Sequence, residues 1–391
     1  MDFLPSLNIA DYTYELPNHK IADQPVLPKH NSKLLIYKEG NITDTTFINI
    51  GQNLPANSRL VFNNTKVIPA RLFFQSSSGH HIEVFLLSPL NDSWTRWECL
   101  VGNRKKFTEN ETLSANAQDI TLFVNWINRD LNTIQISSDS NLSMPELIDI
   151  FGRIPLPPYI KREAQQSDNV NYQTVFAQSP GAVAAPTASL HFTNEVVQDI
   201  KDRGIAMAEV TLHVGLGTFK PVTATTTADH NMHTEKFVIS ESFVSQLLSN
   251  PKSLIPSGTT SMRVLESLFY VGASALLNLP NPQIVSRDVG FNPIYIGISL
   301  EEALESLLSL IRQNRGELHG ETSIFILPGF PFKLSSALIT NFHQPNSTLL
   351  LLVSAFIGED WKKVYQHALE NNYRFLSYGD SSLLFSSHLK G

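Results

Sequence analysis

Two proline-marked hinges bracket a stretch of short apolar segments, and this punctuation limits the folds open to the chain. Pro69 follows the strand-like run Arg59-Leu60-Val61-Phe62, and Ile154-Pro155-Leu156-Pro157-Pro158-Tyr159 lies downstream. Between them fall Ile82 to Leu87, Trp97 to Val101, Ile120 to Val124 and Thr133 to Ile136, separated by Asn, Asp, Ser and Gly. Short, partly alternating segments of this kind predict a small β-barrel or sandwich. After the second hinge, helical and strand patterns mix. The expectation is a mixed α/β domain, residues 1–67 and 153–391, split by an inserted all-β domain over 68–152.

Four helices follow from periodicity and caps. Thr193 starts one carrying Val196, Val197 and Ile200, stopped by Gly204. Ser299 and Glu302 form a capping box before Leu300, Leu304, Leu307, Leu308 and Ile311. A third runs from about Ser347 to Phe356, ending at Gly358. Asp360 caps a fourth with Trp361, Val364, Tyr365, Ala368 and Leu369 on its buried face. Thr322 to Leu327 reads as a buried strand.

Composition narrows the function classes. With 42% apolar and 17% charged residues, the 391-residue chain has the make-up of a folded protein. A single cysteine, Cys99, rules out an intrachain disulfide and suits a reducing compartment. The first residues lack signal-peptide character, and the longest apolar run, Leu349 to Val353, is too short to span a bilayer. The expected location is the cytoplasm, without a membrane partner. A net charge of −7 argues against a generic nucleic-acid coat, but not against a local basic patch. Candidate patches are Arg104-Lys105-Lys106, Lys161-Arg162, Lys29-His30 to Lys33, and Arg312 with Arg315.

Three histidines adjoin turn-forming residues. Gly181 to Thr193 joins a small-residue loop to His191, Leu212-His213-Val214-Gly215-Leu216-Gly217-Thr218 surrounds His213, and Asn341-Phe342-His343-Gln344-Pro345 holds His343. Small residues let backbone amides approach a ligand, and histidine supplies an acid or base near neutral pH. His230, His233 and Glu235 fall within six positions and raise a metal-dependent hydrolase or lyase as an alternative, although their spacing does not match His-Glu-x-x-His. Gly258-Thr259-Thr260-Ser261 precedes a helix bearing Arg263, a natural place for a carboxylate or phosphate. Glu321 and Asp380 sit at turns, Asp380 beside the aromatic run that ends at Tyr378.

At these motifs the chain resembles the S-adenosylmethionine:tRNA ribosyltransferase-isomerase family of queuosine biosynthesis. The likeness runs through Tyr14-Glu15-Leu16-Pro17, Val61 to Leu72 (with Asn63, Lys66 and Arg71), Ile154 to Ile160, Tyr172-Gln173-Thr174-Val175, the three histidine loops, His230-x-x-His233-x-Glu235, Gly258-Thr259-Thr260-Ser261-x-Arg263 and Tyr373 to Asp380. The resemblance implies ribosyl transfer and isomerisation from S-adenosylmethionine onto 7-aminomethyl-7-deazaguanine at the wobble position of tRNA. It implies no metal, no cofactor beyond S-adenosylmethionine as co-substrate, the tRNA anticodon stem-loop as partner, and an inserted β-barrel; a monomer is expected.

That chemistry gives the residues work. His191, His213, His233 and His343 are assigned to proton transfers, with Glu235 or Asp380 orienting a histidine or facing the sulfonium. Arg263 and the Gly258–Ser261 turn are assigned to the methionine carboxylate. Gly181, Thr187, Thr193, Gly217, Thr218, Glu321, Tyr378, Asn63, Lys66 and Arg71 complete the expected substrate contacts. A non-catalytic RNA-binding paralogue is the remaining reading, and the intact histidine set argues against it. Lys66, Lys29-His30, Ser189, Gln344 and Asn346 depart from the family pattern, chiefly where RNA contacts are expected.

Overall fold

The hinge-bounded stretch does become strands. In a computed structural model describing residues 3–212, 215, 222–249 and 254–386, seven strands between Arg71 and Arg153 form one antiparallel sheet. Its order is Gly152–Arg153, Arg71–Gln75, His81–Pro89, Arg96–Val101, Thr133–Ser138, Ile120–Asn128, Leu113–Ala117, and Gln75 also pairs with Ser114. Alternation places Leu72, Phe74, Ile82, Val84, Leu86, Trp97, Cys99, Leu122 and Val124 on the buried face, in a cluster of their own.

The rest of the chain is mixed α/β. A six-stranded sheet has the order Leu254–Pro256, Arg59–Asn63, Ala206–Leu212, Glu235–Ser240, Glu317–Thr322, Ile284–Val285. Its first three strands are mutually parallel. A four-stranded sheet has the order Ala337–Asn341, Ser381–Phe385, Lys33–Lys38, Asn41–Thr46. Parallel bridges Leu254–Ser335 and Ser257–Ile339 join the two sheets side by side. The helix Thr259–Leu276 crosses behind them, buried on every side from Thr259 to Ser274, with Arg263 and Glu266 buried along with its apolar residues. It packs on the helix Leu300–Gln313 through Gly272, where an added Cβ would lie 1.9 Å from the Ala303 carbonyl oxygen.

The four expected helices form at Asn194–Asp202, Leu300–Gln313, Thr348–Ile357 and Trp361–Glu370. Ser299 and Glu302 make the reciprocal capping box, and the Ser347 hydroxyl accepts from the Leu350 amide. Two caps differ. Thr193 occupies the N-cap position, but its hydroxyl pairs with His30 Nδ1 at 2.8 Å. Asp360 accepts instead from the Tyr37 hydroxyl, 2.5 Å away.

The expected strand at Thr322 to Leu327 is displaced: the ladder spans Glu317–Thr322 and stops. Beyond it Ile324 and Ile326 enter one apolar cluster, and Phe325 and Leu327 another. The alternation is real, but the Ser323 and Phe325 amides donate to the carbonyls of Val285 and Arg287 outside any ladder.

Candidate active site

Adjacent strands leave the joined sheets toward one place. Leu254–Pro256 leads into Ser257 and Gly258, and Ala337–Asn341 leads into Phe342 and His343. The Gly258 amide donates to the Ile339 carbonyl at 2.8 Å, locking the two exits together. Above them opens a cleft enclosing about 710 Å³ of space, part of it continuous with solvent, lined by Ala185–Ala188, Ser257–Thr260, Thr340–Gln344, Tyr159, Ser347, Leu349, Leu376 and Ser377. Ligand sites in open α/β sheets lie at such carboxyl ends of strands.

Gly258 has φ +97°, which favours glycine, and opens the helix Thr259–Leu276 with no side-chain cap bond. The amides of the first turn, with the positive end of the helix dipole, are therefore directed at the cavity. Ser189, read above as a departure from the pattern the chain resembles, is fully buried and shares a 2.8 Å hydrogen bond with Ser257, tying the Ala185–Ala188 wall to this turn.

His343 is held on three sides. Its amide donates to the Tyr365 hydroxyl at 3.1 Å, its carbonyl accepts from the Tyr14 hydroxyl, and its Nε2 lies 2.9 Å from Thr340 Oγ1. Burial lowers its pKa to about 3, so the imidazole is neutral at physiological pH. With Nε2 engaged, Nδ1 is the nitrogen left for a ligand.

His191 lies outside the lining of this cavity, against a smaller one that shares Ser377 with it. Its Nδ1 is 3.1 Å from Ser32 Oγ and its Nε2 3.2 Å from Asn341 Nδ2. Burial first, then Arg374 and Lys29, lower its pKa to about 3.

A second cluster sits one helical turn beyond Thr259. Arg263 Nη1 pairs with buried Glu235, and its Nε donates to the Ile324 carbonyl at 3.2 Å. Glu235 Oε1 lies 3.3 Å from His233 Nε2, and His233 retains 26% side-chain exposure. Arg263 thus faces Glu235 and is not part of the cavity wall. His230 packs its ring 5.6 Å from that of Phe325. Among the described residues no group of three or more His, Cys, Asp or Glu is placed to hold a metal ion.

The remaining expected residues divide. Thr187, Gly258, Thr259 and Thr260 line the cavity with His343. Asp380 is buried as a brace, accepting from the Lys33 amide at 2.9 Å and the Arg374 amide at 2.7 Å; burial raises its pKa against these bonds. Tyr378 faces the smaller cavity and donates to Asp168, which Arg162 grips through two bonds of 2.7 and 2.8 Å. Asn63 is spent on the Leu212 backbone, donating to its carbonyl at 2.8 Å and accepting from its amide at 3.1 Å. It thereby fixes the chain just before His213. Gly181 is buried in Ser179–Ala182, Arg71 pairs with Glu83, Lys66 is exposed, and Glu321 sits half-buried on the Glu317–Thr322 strand. None of these lines the cavity, nor does Thr193. His213, Gly217 and Thr218 lie outside the described residues.

Of the other departures, Lys29 donates to the carbonyls of Val170, Asn171 and Gln173, burial lowering its pKa to about 8. Gln344 lines the cavity, and Asn346 takes a φ of +55°. Residue-type reasoning missed Asn341, Tyr14 and Tyr365 as parts of the site, because a buried Asn or Tyr carries no mark of what it holds until the fold supplies its partner.

The family described as queuosine biosynthesis protein matches residues 9–384. S-adenosylmethionine:tRNA ribosyltransferase-isomerases from an Azoarcus species, Halothermothrix orenii and Aquifex aeolicus are 36%, 37% and 36% identical. Each alignment covers 97% of this chain and 98%, 100% and 100% of the respective relative. A crystal structure of S-adenosylmethionine tRNA ribosyltransferase from Thermotoga maritima aligns over 96% of this chain and all of its own, at 27% identity and a TM-score of 0.46. By the family match over residues 9–384 and the breadth of the curated relatives, the chain belongs to the queuosine biosynthesis protein family.

Proposed function

We propose that this chain is a tRNA-modifying transferase. It moves and isomerises the ribosyl moiety of S-adenosylmethionine onto 7-aminomethyl-7-deazaguanine at the wobble position, releasing adenine and methionine and leaving epoxyqueuosine in the RNA. Relatives of that name match over nearly the whole chain. The observation that carries the reading is the cavity where uncapped helix amides meet a neutral histidine.

S-adenosylmethionine occupies this cavity, with its carboxylate at the amides of Thr259 to Ser261, a favourable site for an anion. Arg263 acts one shell away by holding Glu235. The sulfonium acidifies the adjacent 5′ carbon, and neutral His343 accepts that proton through Nδ1, leaving an ylide. Adenine departs more readily with a ring nitrogen protonated. His233, backed by Glu235 and still in contact with solvent, is suited to deliver that proton. His213 is assigned to the same proton traffic, and Asp380 to bracing the wall. The RNA aminomethyl group attacks the ribose after losing its own proton.

Residues 68–152 form the inserted unit, and the seven-stranded sheet with its Gln75–Ser114 pairing supports closure into a barrel. The tRNA anticodon stem-loop is the RNA partner, and the reaction is cytoplasmic. Among the described residues, no helix is long and apolar enough to cross a membrane. The test is incubation with S-adenosylmethionine and tRNA bearing the aminomethyl base. Free adenine is expected, and its absence defeats the reading.

A further inference from the structure

The hydrogen bonds around His191 have a direction that runs to the cavity wall. Ser32 Oγ donates to the Lys29 carbonyl at 2.8 Å, so toward His191 it acts as acceptor and Nδ1 carries the imidazole proton. Nε2 then holds a lone pair, and its partner 3.2 Å away must be the donor side of Asn341, Nδ2. The relay leaves Asn341 one orientation, with Oδ1 turned away from His191.

That oxygen has no hydrogen-bond partner among the described residues, although Asn341 is 3% exposed. A buried acceptor left unpaired costs about 1–3 kcal/mol, and Asn341 lines the cavity. It stands two residues after Ile339, whose carbonyl takes the Gly258 amide. An orphan acceptor and a set of uncapped helix donors therefore share one wall. An α-amino acid presents the complementary pair, a carboxylate and an ammonium on the same carbon.

We propose that Asn341, oriented by His191, presents its side-chain carbonyl to the α-ammonium of the sulfonium co-substrate while the amides of Thr259 to Ser261 take the carboxylate. The inference rests on the reaction assigned above and makes His191 a positioning residue. Protonation at Nε2 would turn the Asn341 amide over and present Nδ2 to the ammonium, a mismatch.

The experiment measures adenine release with modified-base tRNA, using S-adenosylmethionine and its analogue in which hydrogen replaces the α-amino group. Hydrogen bonds to charged groups predict that kcat/KM of the unaltered protein falls about 10- to 100-fold with the analogue. Asn341→Ala should show a similar fall with S-adenosylmethionine and little further loss with the analogue. His191→Phe, which keeps a ring where the imidazole lies 5.1 Å from that of Phe47, should show the same pattern with a smaller fall, and guards against an Asn341 variant that fails to fold. Equal losses on both co-substrates in both variants overturn the proposal, as does an unaltered protein indifferent to the amino group. No adenine from S-adenosylmethionine with the unaltered protein would instead defeat the proposed reaction.

Discussion

Two histidines buried as neutral rings make the stability of this chain depend on pH, with a sign and size that follow from the structure. His191 and His343 each have a pKa lowered from 6.5 to about 3, chiefly by burial. In the unfolded chain both titrate near 6.5. Between these values the unfolded state binds protons that the folded state refuses, so stability rises with pH and falls as the solution is acidified. At pH 5 the gap below the unfolded pKa is 1.5 units, worth about 2 kcal/mol per histidine. At pH 7 the same contribution is close to zero. Two such sites remove about 4 kcal/mol between pH 7 and 5, a large share of the stability of a typical domain.

Other groups titrate too, so the clean measurement is a difference. Urea unfolding of the unaltered protein and of His343→Gln at pH 7, 6 and 5 should show the unaltered protein losing about 2 kcal/mol more over the interval. His191→Phe should behave alike. Parallel curves for either variant and the unaltered protein would refute the assignment of a buried neutral imidazole at that position.

Other perturbations probe separate parts of the framework. Glu235→Ala leaves the Arg263 guanidinium buried without its carboxylate, for an expected cost of about 3–5 kcal/mol by urea denaturation. Glu235→Ala with Arg263→Met should recover much of that stability without restoring adenine release. Gly272→Ala drives a methyl into the Ala303 carbonyl, so a loss of about 1–3 kcal/mol or more is expected in thermal unfolding. Ser189→Ala removes one end of a buried hydroxyl pair, for about 1 kcal/mol; a larger drop in adenine release than in stability would show that the tie to Ser257 shapes the cavity.

Much of this architecture was legible from local signals. The hinge prolines, the turn-separated strands and the Ser299–Glu302 box report on their immediate neighbours, and the fold honours them. Thr193 and Asp360 show the limit: both hold cap positions, but partners distant in sequence, His30 and Tyr37, outcompete the local amides. The Thr322 to Leu327 segment failed for a related reason, since alternation reports two buried faces and says nothing of a neighbouring strand. At the site, residue type pointed to His343 and the Gly258 turn. It could not separate the cavity histidine from His191, whose environment is made by Ser32 and Asn341 from opposite ends of the sequence. Nor could it foresee that Arg263 would be turned onto Glu235.

The strand Ser381–Phe385 lies between Ala337–Asn341 and Lys33–Lys38, its neighbours in the four-stranded sheet. Asp380, just before it, reaches the Lys33 amide across 347 positions. During synthesis the early strand must therefore wait, its edge unpaired, until nearly all the intervening sequence has been made. Pairing at such separation is slow to form and leaves a strand edge exposed to the wrong partner meanwhile. A ribosome stalled anywhere in the helix Trp361–Glu370 would hold a chain with every histidine of the site already made, but without Leu376 and Ser377 of the wall and without the strand that pairs with Ala337–Asn341.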